Sequence, residues 1–118
     1  MNKNTKSIIL LCITVIFFAL IMVISVDAGI SLYELQNKEV SSKDDMINSS
    51  FTALLVCTGF ILYGGVFAFL GIVCSLISNK IATNPIIKRI TGCFLFIHSA
   101  VLLLVVELLF YLVVSAIL

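Results

Sequence analysis

Two ionisable side chains stand inside the last long apolar stretch of the sequence, which runs from Ile90 to Leu118. Glu107 is the only acid in such a stretch, and a carboxylate in lipid is expensive and marks a functional site by default. It could carry protons or cations, it could hold two helices together with Tyr111 one turn away as a hydrogen-bond donor, or it could extend outward at the edge of the lipid. We expect the second role.

His98 precedes Glu107 by nine residues and therefore lies about 180° away around a helix. It could ligate haem or a metal, relay protons, or be a neutral ring bonded to a neighbour. One imidazole cannot complete a zinc or haem site, so we expect no cofactor and no metal, with a haem shared between subunits as the alternative. Both faces of one helix cannot meet the interior of a three-helix bundle. We therefore predict that one face contacts another protein chain.

The four cysteines all lie inside apolar stretches, and three of them fall near one predicted depth, which could suit a metal or acyl chains. They lack the close pairing that anchors a metal site, so packing roles are expected for Cys12, Cys57, Cys74 and Cys93. A glycine-rich phosphate loop and an H-E-x-x-H zinc motif are also absent from the sequence. We expect a protein that is not an enzyme.

Composition places the chain in lipid. Of its 118 residues, 62% are hydrophobic and 11% are charged, and the mean hydropathy is +1.28. Soluble domains carry about 25% charged residues. A net charge of +1 gives no reason to expect a nucleic-acid partner. The sequence predicts a single integral membrane domain.

Three predicted spans, at about residues 7–27, 51–78 and 90–118, contain apolar runs long enough for the ~20 residues that cross a bilayer. The first exceeds the roughly 7–15 residues of a signal-peptide core, which favours a retained span. We predict an all-α bundle of three transmembrane helices, with an outer loop at 28–50 and a cytoplasmic turn at 79–89. Within these connections, the first helix could continue, or the chain could lie along the membrane interface, before Gln36. Helix starts are predicted at Ser41–Asp45 and at Asn84–Pro85.

The distribution of basic residues predicts the orientation. Lys38 and Lys43 share residues 27–50 with five acids. The amino terminus and the second connection carry no acid, and the positive-inside rule makes them cytoplasmic and the carboxyl terminus external. The residues that set this topology are Lys3, Lys6, Lys80, Lys88 and Arg89.

The second stretch has one face of small residues, broken only by Phe60. Helices in lipid associate by close packing of such faces, and a spacing near 3.5 favours a left-handed crossing of roughly +20°. We expect this helix to be the centre of the bundle and its small face to dock a partner. The predicted packing residues are Ala53, Cys57, Gly64, Ala68, Gly71, Ser75 and Ser78.

Gly65, Gly71, Cys74 and Glu107 resemble positions in the first three helices of tetraspanins. The large outer loop and paired-cysteine motif of that family are missing. Small three-helix anchor subunits of respiratory complexes are similar in length and predicted topology, but none of their motifs is present. Neither resemblance assigns a family.

Together these features predict an accessory or scaffold subunit that binds the lipid bilayer and other membrane protein subunits, or copies of itself. The alternatives are a small homo-oligomeric transporter or channel that uses Glu107, and an immunity or holin-like membrane protein. A cell membrane is expected rather than an organelle.

Overall fold

The computed structural model describes residues 2–39 and 42–118. Within these ranges the chain forms three α-helices and no strand: α1 is Lys3–Asn37, α2 is Lys43–Ile81 and α3 is Pro85–Ile117. All three are long and apolar enough to cross a membrane. The prediction of an all-helical chain with three candidate spans is therefore confirmed.

Both predicted helix starts are present. The hydroxyl of Ser42 accepts a 3.1 Å hydrogen bond from the backbone N–H of Asp45, which satisfies a free donor of the first turn of α2. Asn84 accepts a 2.9 Å bond from the N–H of Ile86, and Pro85 occupies the first turn of α3, where its missing N–H is not needed. Ser41, also part of the predicted start of α2, lies outside the described residues.

The helices extend beyond the predicted spans at both connections. Most of the predicted outer loop, residues 28–50, is helical, and so is most of the predicted turn, residues 79–89. Only residues 82–84 separate α2 from α3. The helices contain 35, 39 and 33 residues. At 1.5 Å per residue they are about 50–58 Å long, so each exceeds a ~30 Å hydrocarbon core.

The central helix is α2. Both α1 and α3 run along it and scarcely touch each other, in a bundle of 63 × 26 × 19 Å. The turn end of the bundle holds residues 2–7 and the 82–84 turn, and the connection end holds residues 38, 39, 42 and 118. Both flanking helices therefore have α2 as their main contact, which makes the packing face of α2 the centre of the fold.

Buried positions recur at heptad-like intervals in every helix. On α1 and α3 they repeat every seven residues, at Ser7, Thr14 and Ile21 and at Thr91, His98 and Val105. On α2 they alternate by three and four, at Gly64, Ala68, Gly71, Ser75 and Ser78. This is the periodicity of helices that pack along a common seam.

The bundle is polar inside and apolar outside. Six of its fully buried side chains are polar, namely Ser7, Thr14, Ser75, Ser78, Thr91 and His98. By contrast, large apolar side chains cover the exterior, including Ile16 at 57% exposure, Leu62 at 60% and Phe110 at 70%. Water-soluble domains show the opposite arrangement, so this distribution suits a lipid solvent.

Candidate functional site

The imidazole of His98 lies at the centre of the bundle and is fully buried. Its Nδ1 lies 2.8 Å from the backbone oxygen of Phe94, one turn earlier in α3. A carbonyl oxygen only accepts, so Nδ1 donates its hydrogen to it, which leaves Nε2 as the second polar atom of the ring. That nitrogen is buried and has no hydrogen-bond partner among the described residues.

Aromatic rings and the α2 backbone enclose the same imidazole. Phe18 of α1 meets it edge-on, with ring centroids 6.2 Å apart, and the Phe94 ring lies at 6.4 Å. On the α2 side, a Cβ added to Gly71 would overlap Cδ2 and Nε2 of the ring. The backbone of α2 therefore occupies the space beside Nε2.

This enclosure does not fit the shared haem that the sequence left open. A haem iron would have to reach Nε2, where the α2 backbone already stands. Within residues 2–39 and 42–118, no three His, Cys, Asp or Glu side chains lie close enough to hold a metal. The arrangement at His98 is a packing contact between α2 and α3 rather than an open ligand site.

The small face of α2 is filled by the chain's own helices. Gly64, Ala68, Gly71, Ser75 and Ser78 are all buried, whereas Ala53 and Cys57, nearer the connection end, are only half-buried. The expectation that this face docks another protein is therefore corrected for its five buried positions, because the chain's own helices already cover them.

Hydrogen bonds between helices are concentrated at the turn end. Ser7 and Ser78, both fully buried, bond reciprocally: each hydroxyl reaches the other residue's backbone oxygen, at 2.9 and 2.8 Å. The two hydroxyl oxygens are 2.9 Å apart. A weaker 3.5 Å contact joins Ser75 to Thr14 one layer further in. These bonds hold α1 against α2.

Two asparagines join the remaining segments at this end. Asn79 of α2 donates to the backbone oxygen of Lys88, at 2.8 Å, and to the hydroxyl of Thr91, at 2.9 Å. Asn4 of α1 accepts from the backbone N–H and the hydroxyl of Thr83 in the turn. The turn end is thus cross-linked among all three helices. The two asparagines were not predicted from the sequence. The seven-residue spacing of Ser7, Thr14 and Ile21 could have indicated the buried face of α1.

The connection end is more open. A crevice of about 250 Å³ lies between all three helices, and its lining includes Ala28, Cys57, Phe60 and Leu108. The side-chain hydrogen bonds described at this end, such as those from Thr52 to Asn48 and from Thr58 to Leu54, stay within one helix. The residues that line this crevice between the helices are mostly apolar.

Glu107 lies on the opposite side of α3 from His98. Its side chain is exposed, and no hydrogen bond or ion pair joins it to another described residue. Tyr111, 67% exposed, does not donate to it. We call this side of α3 the outward face; its exposed residues are Cys93, Phe96, Ala100, Leu103, Glu107 and Tyr111.

The remaining predicted residues are dispersed. All the basic side chains at Lys3, Lys6, Lys80, Lys88 and Arg89 are exposed around the turn end. Cys12 and Cys93 are exposed and Cys57 and Cys74 half-buried, each on an apolar part of its helix. The structure thus brings His98, Gly71 and the hydroxyls of the turn end into the interior and leaves Glu107 outside it.

No protein-family model matches this chain, and no curated protein or solved structure is significantly similar to it.

Proposed function

We propose that this protein is a small, non-enzymatic subunit of a larger membrane assembly, and that it docks through the outward face of α3. The observation that carries the proposal is the solitary carboxylate of Glu107 on an exposed apolar face. Phe96, Leu103 and Tyr111 on that face are 76%, 61% and 67% exposed. A charged group on such a surface calls for a neighbour that α1 and α2 do not provide.

Insertion in a bilayer is supported by the charge-free lengths of the helices. Lys6 and Asp27 bound twenty uncharged residues of α1, and Arg89 and Glu107 bound seventeen of α3. These stretches are about 30 and 26 Å long, close to the thickness of a hydrocarbon core. Following the positive-inside rule, the turn end would face the cytoplasm of a cell membrane.

The apolar surface of α3 continues beyond Glu107. An isolated bundle therefore pays a free-energy cost at either of two depths in the bilayer. If lipid covers residues 108–118, the carboxylate is immersed, which costs up to about 3 kcal/mol on insertion scales. If lipid ends at Glu107, exposed Phe110, Val113 and Ile117 stand in water over about 15 Å of helix. A protein neighbour on the outward face would resolve both situations.

A second candidate, a homo-oligomeric channel or transporter, draws on the same exposed carboxylate. Several copies arranged with Glu107 towards a common axis would line a cation path with acids. His98 is enclosed between the helices, on the opposite side of α3 from the exposed carboxylate, so it would not line the same path.

Native mass spectrometry of the tagged protein in mild detergent tests the proposal. We expect a stoichiometric complex with another membrane protein. Replacing exposed Ala100 of the outward face by Trp should dissociate it, whereas the matched substitution at exposed Ala19 of α1 should not. A stable monomer would contradict both candidates, and a complex containing only copies of this chain would favour the channel.

A further inference from the structure

We propose that the partner of the outward face is a transmembrane helix carrying a Lys or Arg side chain level with Glu107. This rests on the function proposed above and adds the chemistry of the partner. Three observations support it. The Glu107 carboxylate has no partner among the described residues, and no described basic side chain lies at its height along the bundle. A second copy of the chain would bring only further acids to that height.

The level of Glu107 along the bundle follows from contacts between α3 and α2. A Cβ on Gly64 would lie 3.8 Å from the Val105 side chain, and Gly71 faces His98. Residue numbers rise along α3 as they fall along α2 in these two pairs, so the helices are antiparallel. Extending the pairing by two residues places Glu107 level with Leu62 and Tyr63 of α2.

Asp27 of α1 lies near the same level. It lines one crevice together with Gly59, Phe60 and Tyr63 of α2. Two acids, one on α1 and one on α3, thus stand at similar heights.

No basic side chain of the described chain lies at that height. Arg89 is eighteen residues from Glu107 on the same helix, about 27 Å away. Lys38, the residue that follows α1, is eleven residues beyond Asp27, or about 16 Å at the helical rise. The chain cannot neutralise Glu107 by itself.

A second copy inserted in the same orientation cannot neutralise it either. Parallel copies meet at equal heights, so the groups brought towards Glu107 would be Glu107 and Asp27 of the neighbour. Two carboxylates in an apolar setting oppose each other's ionisation and association. A different helix with a cation at this height would supply a charge-assisted hydrogen bond that the chain lacks.

A synthetic peptide tests the charge preference directly. The probe is a fluorescent Leu/Ala transmembrane peptide with one Lys placed level with Glu107, and its controls carry Leu or Glu at that position. Energy transfer from the labelled protein in phosphatidylcholine vesicles gives the affinities. We expect the Lys peptide to bind about three- to tenfold more tightly than the Leu peptide, the range of interhelical polar contacts, and the Glu peptide to bind no more tightly than Leu.

Substitutions of the two acids test which carboxylate causes the tighter binding of the Lys peptide. Glu107→Gln should abolish the preference for Lys, whereas the matched change Asp27→Asn should preserve it. Glu107 is exposed and bonds to no described residue, so Glu107→Gln should leave the helical circular dichroism spectrum and its thermal transition unchanged. Equal binding of the Lys and Leu peptides, or a preference that survives Glu107→Gln, would overturn the inference.

The two proposals fail separately. A native complex that dissociates with Ala100→Trp but shows no preference for a cationic peptide would reject the charged partner and keep the docking face. A protein that remains monomeric would reject the docking function itself.

Discussion

The imidazole of His98 fills the space beside α2 that a side chain at residue 71 would occupy. An added Cβ at Gly71 would overlap the ring, whereas at Gly64 it would make an ordinary 3.8 Å contact with Val105. Of the two buried glycines in the small face, only Gly71 is thus required by a close approach. The contact fixes the height of α3 against α2 and turns Glu107 outward.

Gly71→Ala should destabilise the bundle by about 1–3 kcal/mol, because it forces the imidazole or a whole helix to move. Gly29→Ala is the matched control: nothing lies within 4 Å of its added Cβ, so it should be neutral or stabilising by up to about 1 kcal/mol. Thermal unfolding in mild detergent, followed by circular dichroism, measures both. Adding His98→Ala to Gly71→Ala should recover part of the loss, and equal stability of the two glycine variants would refute the close contact.

The reciprocal bonds between Ser7 and Ser78 should make a measurable contribution at the turn end. Each single Ala variant should lose about 0.5–1 kcal/mol, because the other serine still reaches a backbone oxygen. The double variant should lose about 1–2 kcal/mol. Ser99→Ala, at an exposed position of α3, is the control and should change nothing. Unfolding curves like those of the wild type for all variants would show that α1 is held by other contacts.

Cysteines placed at the two ends of the bundle should react with a maleimide on opposite sides of the membrane. In a variant with its four cysteines replaced by Ala, Lys38→Cys at the connection end should react with an impermeant maleimide added to intact cells. Lys88→Cys at the turn end should react only after the cells are opened, because the basic turn end is expected in the cytoplasm. Labelling of both positions in intact cells, or of neither, would contradict three spans in this orientation.

Much of the α2 packing could be predicted from sequence, because small residues at spacings of three and four have few other uses in lipid. Buried Gly64, Ala68 and Gly71 follow from that pattern alone. The starts at Ser42 and Asn84 were equally readable, since capping depends on neighbouring residues only.

Sequence could not decide which side of α3 turns inward. His98 and Glu107 are both polar, and hydropathy treats their faces alike. The choice depends on shape: a ring on α3 fits opposite a residue without a side chain on α2, which needs the register of two helices distant in sequence. The helical extensions past Asp27 and before Phe51 could be predicted, because charged side chains are compatible with helix beyond the apolar core and the cap at Ser42 depends on neighbouring residues.

Photo-crosslinking from two matched positions tests the central claim most directly. A photoreactive residue replaces Leu103 on the outward face, 61% exposed, or Ile16 on α1, 57% exposed. In native membranes Leu103 should form an adduct with one defined membrane protein, lost when Ala100→Trp is added, and Ile16 should not form it. The same adducts from both positions, or no protein adduct from Leu103, would contradict docking through the outward face of α3.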